Sequence, residues 1–295
     1  MSLKYNLLKL RKIFTYNPFE TILLFFLKGS NYQGFSSKFI PPPDLYNYNS
    51  IKDVERDGIK YQLDRSCLMQ WFIYWDLQDI TREKLYSLVK TGDVIFDVGT
   101  NVGETLLHFA KITGESGFVY GFEPDEKNYA NVLKNISLND FENVHVFDLG
   151  VSDKAETLKL FRVDSHNLGM NRILNEAEAA EFEDFTTIET DTLDHIVKEN
   201  KIEKVDVIKI DIEGYEMHAL RGAKELLKKF QPRLFIEVGY TRLLKHGTSP
   251  NEMIDFLQNL NYSVYHAETD EKIDSDFDFS PLGDGIIDVL AIIEK

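Results

Sequence analysis

Three carboxylates, Asp211, Glu213 and Glu237, lie at or just beyond the ends of two apolar runs, "VDVIKIDIEG" and "LFIEVGY". Acids at the tips of strands can orient a hydroxyl, take its proton, or hold a divalent cation that lowers its pKa. Asp211 and Glu213 can equally cap the helix that follows, because a negative side chain suits a helix N-terminus. Lys209 precedes Asp211 by two residues and shares its side of the strand. A lysine inside an apolar run fits a buried ion pair with Asp211 or Glu237, and becomes a base only if its pKa falls. Of the seven histidines, His166 in "DSHNLGMN" and His246 in "KHGTSP" fall on loops that could reach a cleft. His166 has polar neighbours, Ser165 and Asn167, suited to sugar hydroxyls. No spaced His/Asp signature marks a metal site, so no metal ligands are assigned, and a divalent ion such as Mg²⁺ stays the alternative.

A second constellation lies upstream. "VIFDVGTNVGE" (94–104) reads as a buried strand, a glycine-bearing turn and a helix start. A dinucleotide turn reads G-x-G-x-x-G. Here Gly99, Asn101 and Gly103 give G-x-N-x-G, and Glu104 follows in the first helical turn. Glu104 would oppose a pyrophosphate, which favours the positive end of a helix. With Asp97 at the strand end, the site is acid-rich and suits the sulfonium of S-adenosylmethionine better than NAD. Glu123 closes the next strand in "VYGFEPD", 20 residues after Gly103, where a carboxylate can accept hydrogen bonds from both ribose hydroxyls. Asp148 in "VFDLG" can bond an adenine amino group or cap a turn.

These residues need a scaffold, and the chain alternates in the way that supplies one. Strands are predicted over 94–97, 118–123, 144–147, 205–211 and 234–238. Helices are predicted over 81–90, 104–112, 126–138, 192–199 and 216–229. Near-continuous apolar strands alternating with helices give a parallel sheet covered on both faces. A helix over 250–260 then leads to strands at 262–265 and 287–293, separated by an acidic loop. With no helix between them, these two form an antiparallel pair near the sheet edge. Between 147 and 205 sits an insertion with two further strand-like pieces, 157–162 and 186–190. Upstream, Asp57-Gly58 joins two short strand runs as a hairpin, and "PPPDLYNYNS" (41–50) reads as a linker.

The chain has 295 residues, is 43% hydrophobic and 13% aromatic, and so can bury a sizeable core. The single cysteine, Cys67, excludes a disulfide framework. A net charge of −16 argues against general nucleic-acid binding. That charge is uneven: residues 1–40 hold six Lys/Arg and one acid, while the remainder holds 27 basic and 48 acidic residues. The apolar run 21–27 is too short to span a bilayer, and no signal-peptide order precedes it. The expectation is a cytoplasmic protein whose basic start packs on the main domain as a helical extension, with peripheral contact to anionic lipid as the alternative.

"VIFDVGTNVGE", "GFEPD" and above all "IKIDIEGYEMHALRGA" (208–223) resemble the FkbM-type methyltransferases. The resemblance covers about residues 81–240 and implies S-adenosylmethionine-dependent methyl transfer to an oxygen, commonly on a sugar or natural product. It places Asp97, Gly99, Asn101, Gly103 and Glu123 on the cofactor face, and Thr100 and Pro124 in the same two motifs join them. It names no certain base. The expected fold is α/β, a class I methyltransferase (Rossmann-like) architecture with a mostly parallel seven-stranded sheet and helices on both faces. An N-terminal helical and hairpin extension (1–80) precedes the methyltransferase domain (81–295). The acceptor is expected to be a small molecule or glycan. The competing readings are a non-catalytic binding module on the same fold and an NAD-dependent oxidoreductase.

Overall fold

The computed structural model describes residues 10–27, 38–77, 80–164 and 167–294. The first strands, β1 (Ile51–Arg56) and β2 (Ile59–Asp64), form the expected antiparallel hairpin. Its turn residues Asp57 and Gly58 both take positive φ, 49° and 74°, as a two-residue hairpin turn with the twist of the flanking strands requires. Then follow β3 (Val94–Val98), β4 (Phe118–Phe122) and β5 (Val144–Phe147), and after them four strands of the insertion. These are β6 (Gly150–Val151), β7 (Glu156–Phe161), β8 (Arg172–Ile173) and β9 (Phe185–Asp191). The chain closes with β10 (Val207–Ile210), β11 (Arg233–Gly239), β12 (Ser263–His266), β13 (Lys272–Ile273) and β14 (Ile286–Ile292).

The main sheet runs β13-β12-β14-β11-β10-β3-β4-β5. The five strands from β11 to β5 are parallel, while β14 is antiparallel to both β11 and β12. This is the class I methyltransferase architecture expected from the sequence, with one correction. The sheet has eight strands rather than seven, because the acidic loop itself contributes the two-residue edge strand β13. All four residues of β10 are buried, as a strand flanked on both edges and covered on both faces must be. From β3 the chain winds one way through β4 and β5, and from β10 the other way through β11. The crevice at the carboxyl ends of β3 and β10 is therefore the switch point where α/β sheets bind ligands.

Two further expectations need correction. The helix anticipated over 216–229 is two helices, Glu216–Arg221 and Lys224–Phe230. The break falls where Gly222 packs against backbone: a Cβ there would lie 2.0 Å from the Ser152 carbonyl oxygen. The insertion is not two stray strands but a sheet of its own, ordered β6-β9-β7-β8.

The N-terminal elements pack on the main body. Ile40, in front of the proline run, is fully buried, and the Pro41 carbonyl accepts the Trp71 indole N–H at 2.7 Å, so this stretch is part of a core rather than a free linker. That core also takes Tyr61, Trp71 and Trp75, and it reaches Val102 and Leu107 beside the glycine turn. Asn135, from helix Glu126–Ser137, accepts the Gln62 backbone N–H at 2.8 Å and donates to the Val102 carbonyl at 2.9 Å. Asn139 pairs with both backbone groups of Lys60. Amide side chains thus satisfy the open edge of β2, which otherwise presents unpaired backbone groups. Helix Phe19–Leu27 joins the same core through Leu23. Among the described residues, no helix is long and apolar enough to cross a membrane.

Candidate active site

A cavity of about 820 Å³ opens at the switch point. The turn after β3 forms one wall. Gly99, Asn101 and Gly103 all take positive φ, at 85°, 53° and 89°. Gly99 also has no room for a side chain, since a Cβ would lie 2.0 Å from the Asp211 carbonyl oxygen. Gly103 packs against Val132, whose Cγ2 would be 2.6 Å from an added Cβ. Thr100 is buried; its hydroxyl donates to the Asp97 carbonyl at 2.9 Å and accepts the Phe122 N–H at 3.0 Å, tying β3 to β4.

Glu123 meets this turn from β4. Its Oε2 accepts the Asn101 N–H at 2.6 Å and its Oε1 the Asp125 N–H at 3.0 Å. Burial pushes its carboxyl up to about 8, against the pull of those backbone N–H groups. The two backbone N–H groups lock the carboxyl in place on the cavity wall, beside Pro124. Each oxygen keeps a further acceptor site.

Lys209 and the acids form the opposite wall. Lys209 Nζ donates to the Gly99 carbonyl at 2.8 Å and lies 3.3 Å from Asp211 Oδ2 and 3.5 Å from Asp97 Oδ1. Burial acts to lower its pKa, but Asp211 and Asp97 outweigh it and hold the ammonium above its ordinary value. Lys209 is thus a cation set among carboxylates, the ion-pair alternative rather than a base. Asp97 is fully buried and does not line the cavity; Thr105 donates to its Oδ2 at 2.6 Å. Burial raises the Asp97 pKa, with Lys209 and Thr105 opposing.

Asp211 lines the cavity with its side chain 41% exposed, the most open of the cluster. Glu213 follows in a left-handed conformation, φ 59°, and burial, then the Asp211 charge, push it up to about 7. Arg242, on the first helix after β11, reaches Glu213 Oε2 at 2.5 Å and Glu237 Oε2 at 2.9 Å. The Glu237 contact is a hydrogen bond, whereas the Glu213 contact is an ion pair outside hydrogen-bond geometry. Burial, then Asp211 and Glu213, raise Glu237 well above the usual carboxylate range. Carboxylate oxygens of Asp211, Glu213 and Glu237 lie within 4.8 Å of one another, a spacing that could hold a cation. Arg242 already neutralises two of the three, so the set fits a bridged acid pair better than a metal centre. Glu216 acts on the backbone instead. Its Oε1 accepts the Gly214 N–H at 2.9 Å and the Ile212 N–H at 3.2 Å, stapling the turn that carries Asp211 and Glu213.

The insertion covers the site. Asp125 Oδ2 accepts from Arg162 and Asn171, both at 3.2 Å, which latches the second sheet to the end of β4. Asn167 and Asn171 line the cavity, and the Oδ1 of each is buried without a hydrogen-bond partner. A Cβ on Gly169 would lie 2.8 Å from Asn101 Nδ2, so this loop rests on the glycine turn. His166 and Ser165 lie outside the described residues.

Asp148 is exposed at the end of β5 and does not line the cavity. His246 also misses it, packing edge-on to Tyr215 at 5.3 Å beside His218. Glu104 does line the cavity, but it is paired with Arg82, which offsets the charge expected to oppose a pyrophosphate. Arg242 and Asn171 escape a reading of the sequence, while Asn167 is expected from it as a polar neighbour of His166 suited to sugar hydroxyls. Arg242 belongs to an ordinary helical run, and Asn171 follows no spacing rule.

Two curated proteins are similar over the central part of the chain. One is the 2-O-methyltransferase NoeI of Sinorhizobium fredii, 25% identical over 166 residues, covering 51% of this chain and 65% of that protein. The other is the hexuronic acid methyltransferase AglP of Haloferax volcanii, 25% identical over 161 residues, covering 52% of this chain and 62% of that protein. The match thus spans less than two thirds of either relative. The crystal structure of methyltransferase FkbM from Methylobacillus flagellatus KT superposes with a TM-score of 0.42 at 18% identity, over 70% of this chain and 47% of that one. At that score the strand order above, not the superposition, carries the fold class. The methyltransferase FkbM domain matches residues 97–264, from the end of β3 into β12. That stretch is more than half of the chain and contains both motif regions that meet across the cavity, and on it the chain belongs to the FkbM methyltransferase family.

Proposed function

We propose that this protein is an S-adenosylmethionine-dependent O-methyltransferase that acts on a hydroxyl of a carbohydrate or glycosylated natural product. The observation that carries the reading is the two-walled cavity, with the Gly99–Gly103 turn and Glu123 on one side and Asp211, Glu213 and Glu237 on the other. Bound S-adenosylmethionine would supply an electrophilic methyl carbon on a sulfonium. Glu123, held by two backbone N–H groups, is the acceptor for the ribose hydroxyls. Asp211 is the open carboxylate facing the second half of the cavity, where it would orient the acceptor hydroxyl and take its proton as the oxygen–methyl bond forms. Glu213 and Glu237 bound the same space, and Arg242 offsets the repulsion between them. The amide side chains of Asn167 and Asn171 line the same space and suit a polyhydroxylated acceptor. Holding the hydroxyl in line with the methyl group can by itself contribute up to about 7–11 kcal/mol in ideal cases. The activities named for NoeI and AglP, a 2-O-methyltransferase and a hexuronic acid methyltransferase, support the acceptor class.

Two measurements test this. Calorimetric titration should show binding of S-adenosylmethionine and its demethylated product, and none of NAD. Incubation with methyl-labelled S-adenosylmethionine and a panel of uronic acids, glycosides and oligosaccharides should transfer label to an oxygen. Binding of NAD alone, or transfer only to nitrogen, would overturn the proposal.

A further inference from the structure

The N-terminal helical segment has two faces of different character. Seven of the fourteen large apolar side chains exposed among the described residues fall within residues 10–27. On helix Phe19–Leu27 the inward face is fixed: Glu20 is 1% exposed and Leu23 9% exposed. Arg65 contacts Glu20 Oε1 at 2.5 Å, and the Tyr46 hydroxyl donates to the same oxygen at 3.2 Å. Arg65 is held in turn by Ser50 through its backbone oxygen and its hydroxyl. The helix therefore cannot roll to hide its other face, where Phe25 is 80% and Phe26 75% exposed, with Phe19 and Ile22 about half exposed. Leu10, Ile13 and Tyr16, in the short helical turn and bend that precede this helix, are exposed as well. Monomer surfaces rarely leave such contiguous apolar patches uncovered.

We propose that this strip seats the protein on an anionic lipid surface. Charge selects the partner. Glu20 is the only acid in residues 1–40, and it is turned inward against Arg65, so it offers no negative charge outward. The segment holds Lys4, Lys9, Arg11, Lys12, Lys28 and Lys38, and Lys12 is exposed beside the strip. The rest of the chain, with 27 basic against 48 acidic residues, is repelled by an anionic membrane, so only this end approaches it. In a two-fold dimer this face would meet its own copy, basic residues against basic residues, so a second copy of the chain is the poorer match. A nine-residue helix is too short to span, and basic residues flanking aromatic and aliphatic ones are the composition of a segment lying in the headgroup boundary. The inference stands apart from the methyl-transfer reading and survives if that reading fails.

The test is sedimentation of the full chain with vesicles of phosphatidylcholine alone or mixed with phosphatidylglycerol, at low and high salt. The protein should pellet with the mixed vesicles, weakly with phosphatidylcholine alone, and less at high salt. Phe25→Ser/Phe26→Ser should lower the partition coefficient at least about tenfold, from the apolar area lost. Its melting temperature should be unchanged, since both rings are exposed. No pelleting with either vesicle, equal pelleting with both, or an unaltered double variant would overturn the proposal. If light scattering showed a dimer that the double variant disperses, with vesicles bound by neither protein, the strip would belong to a second copy of the chain.

Discussion

Lys209 Nζ donates a hydrogen bond to the Gly99 carbonyl oxygen at 2.8 Å, so a side chain from β10 holds the glycine turn that follows β3. The same ammonium lies between Asp97 and Asp211. One buried cation thereby couples the wall assigned to the cofactor to the wall assigned to the acceptor. In-line transfer depends on the distance between those two walls, and a small misplacement is costly.

Lys209→Met should therefore be strongly destabilising. It leaves the fully buried Asp97 without its cation, and breaking one side of a buried pair costs about 3–5 kcal/mol. Asp97→Asn combined with Lys209→Met should recover part of that loss, because the orphaned charge is gone. Urea denaturation of the wild type, the single and the double variant measures it. A single variant within about 1 kcal/mol of wild type would show that the pair is not structural.

Glu123→Ala should weaken S-adenosylmethionine binding by about 1–3 kcal/mol, the range for leaving buried hydrogen-bonding groups without their partner. Calorimetric titration reads it directly. Some stability will go as well, since the Asn101 and Asp125 N–H groups lose their acceptor. An unchanged affinity in the folded variant would remove Glu123 from the cofactor site.

Asp211→Asn should leave S-adenosylmethionine affinity near wild type and cut turnover by roughly 10²–10⁴-fold, the range for loss of a general base. Chelator should leave wild-type turnover unchanged, because Arg242 already bridges Glu213 and Glu237. Turnover abolished by chelator and restored by Mg²⁺ would instead make the three acids metal ligands. Near-normal turnover in the variant would remove Asp211 from the chemistry and leave it as an ion-pair partner of Lys209.

The central strands were legible because burial on both faces leaves long apolar runs, and the ends of those runs point to Glu123, Asp211 and Glu237. Gly99 and Gly103 were legible from their spacing alone. What stayed hidden depends on long-range packing. Strands β6, β8 and β13 are two residues each, too short to carry a period. Arg242 acquires its role only when the chain reverses after β11. Asp97 lies at the right place in its motif, yet close packing behind the turn buries it away from the cavity. Glu216 looks like a first-turn helix acid, and its stapling of the Asp211–Gly214 turn requires left-handed backbone at Glu213 that the sequence does not announce.

That staple has a pH signature. Glu216 is 1% exposed, and burial pushes its carboxyl up to about 7 from 4.5, with backbone N–H groups pulling the other way. Below pH 4.5 the group is protonated in the folded and unfolded chain alike, and pH has no effect through it. Between 4.5 and 7 the unfolded chain releases the proton while the folded chain keeps it, so stability falls as pH rises. Above 7 both are ionised and the full penalty, on the order of 3 kcal/mol, remains. Glu216→Gln keeps an oxygen for the Gly214 and Ile212 N–H groups but cannot ionise. Its own cost, an amide nitrogen in place of the unpartnered Oε2, is independent of pH. Glu123 is also raised, but the Glu216 charge is not among the causes and it cancels in the comparison. Glu213 and Glu237 feel the Glu216 charge, so removing it eases their ionisation and acts in the same direction. The stability of Glu216→Gln relative to wild type should accordingly improve from pH 4.5 to 7 and level off above it, as read from melting temperatures in matched buffers. A difference that stays flat from pH 4.5 to 8 would mean that Glu216 titrates in the fold as it does in water.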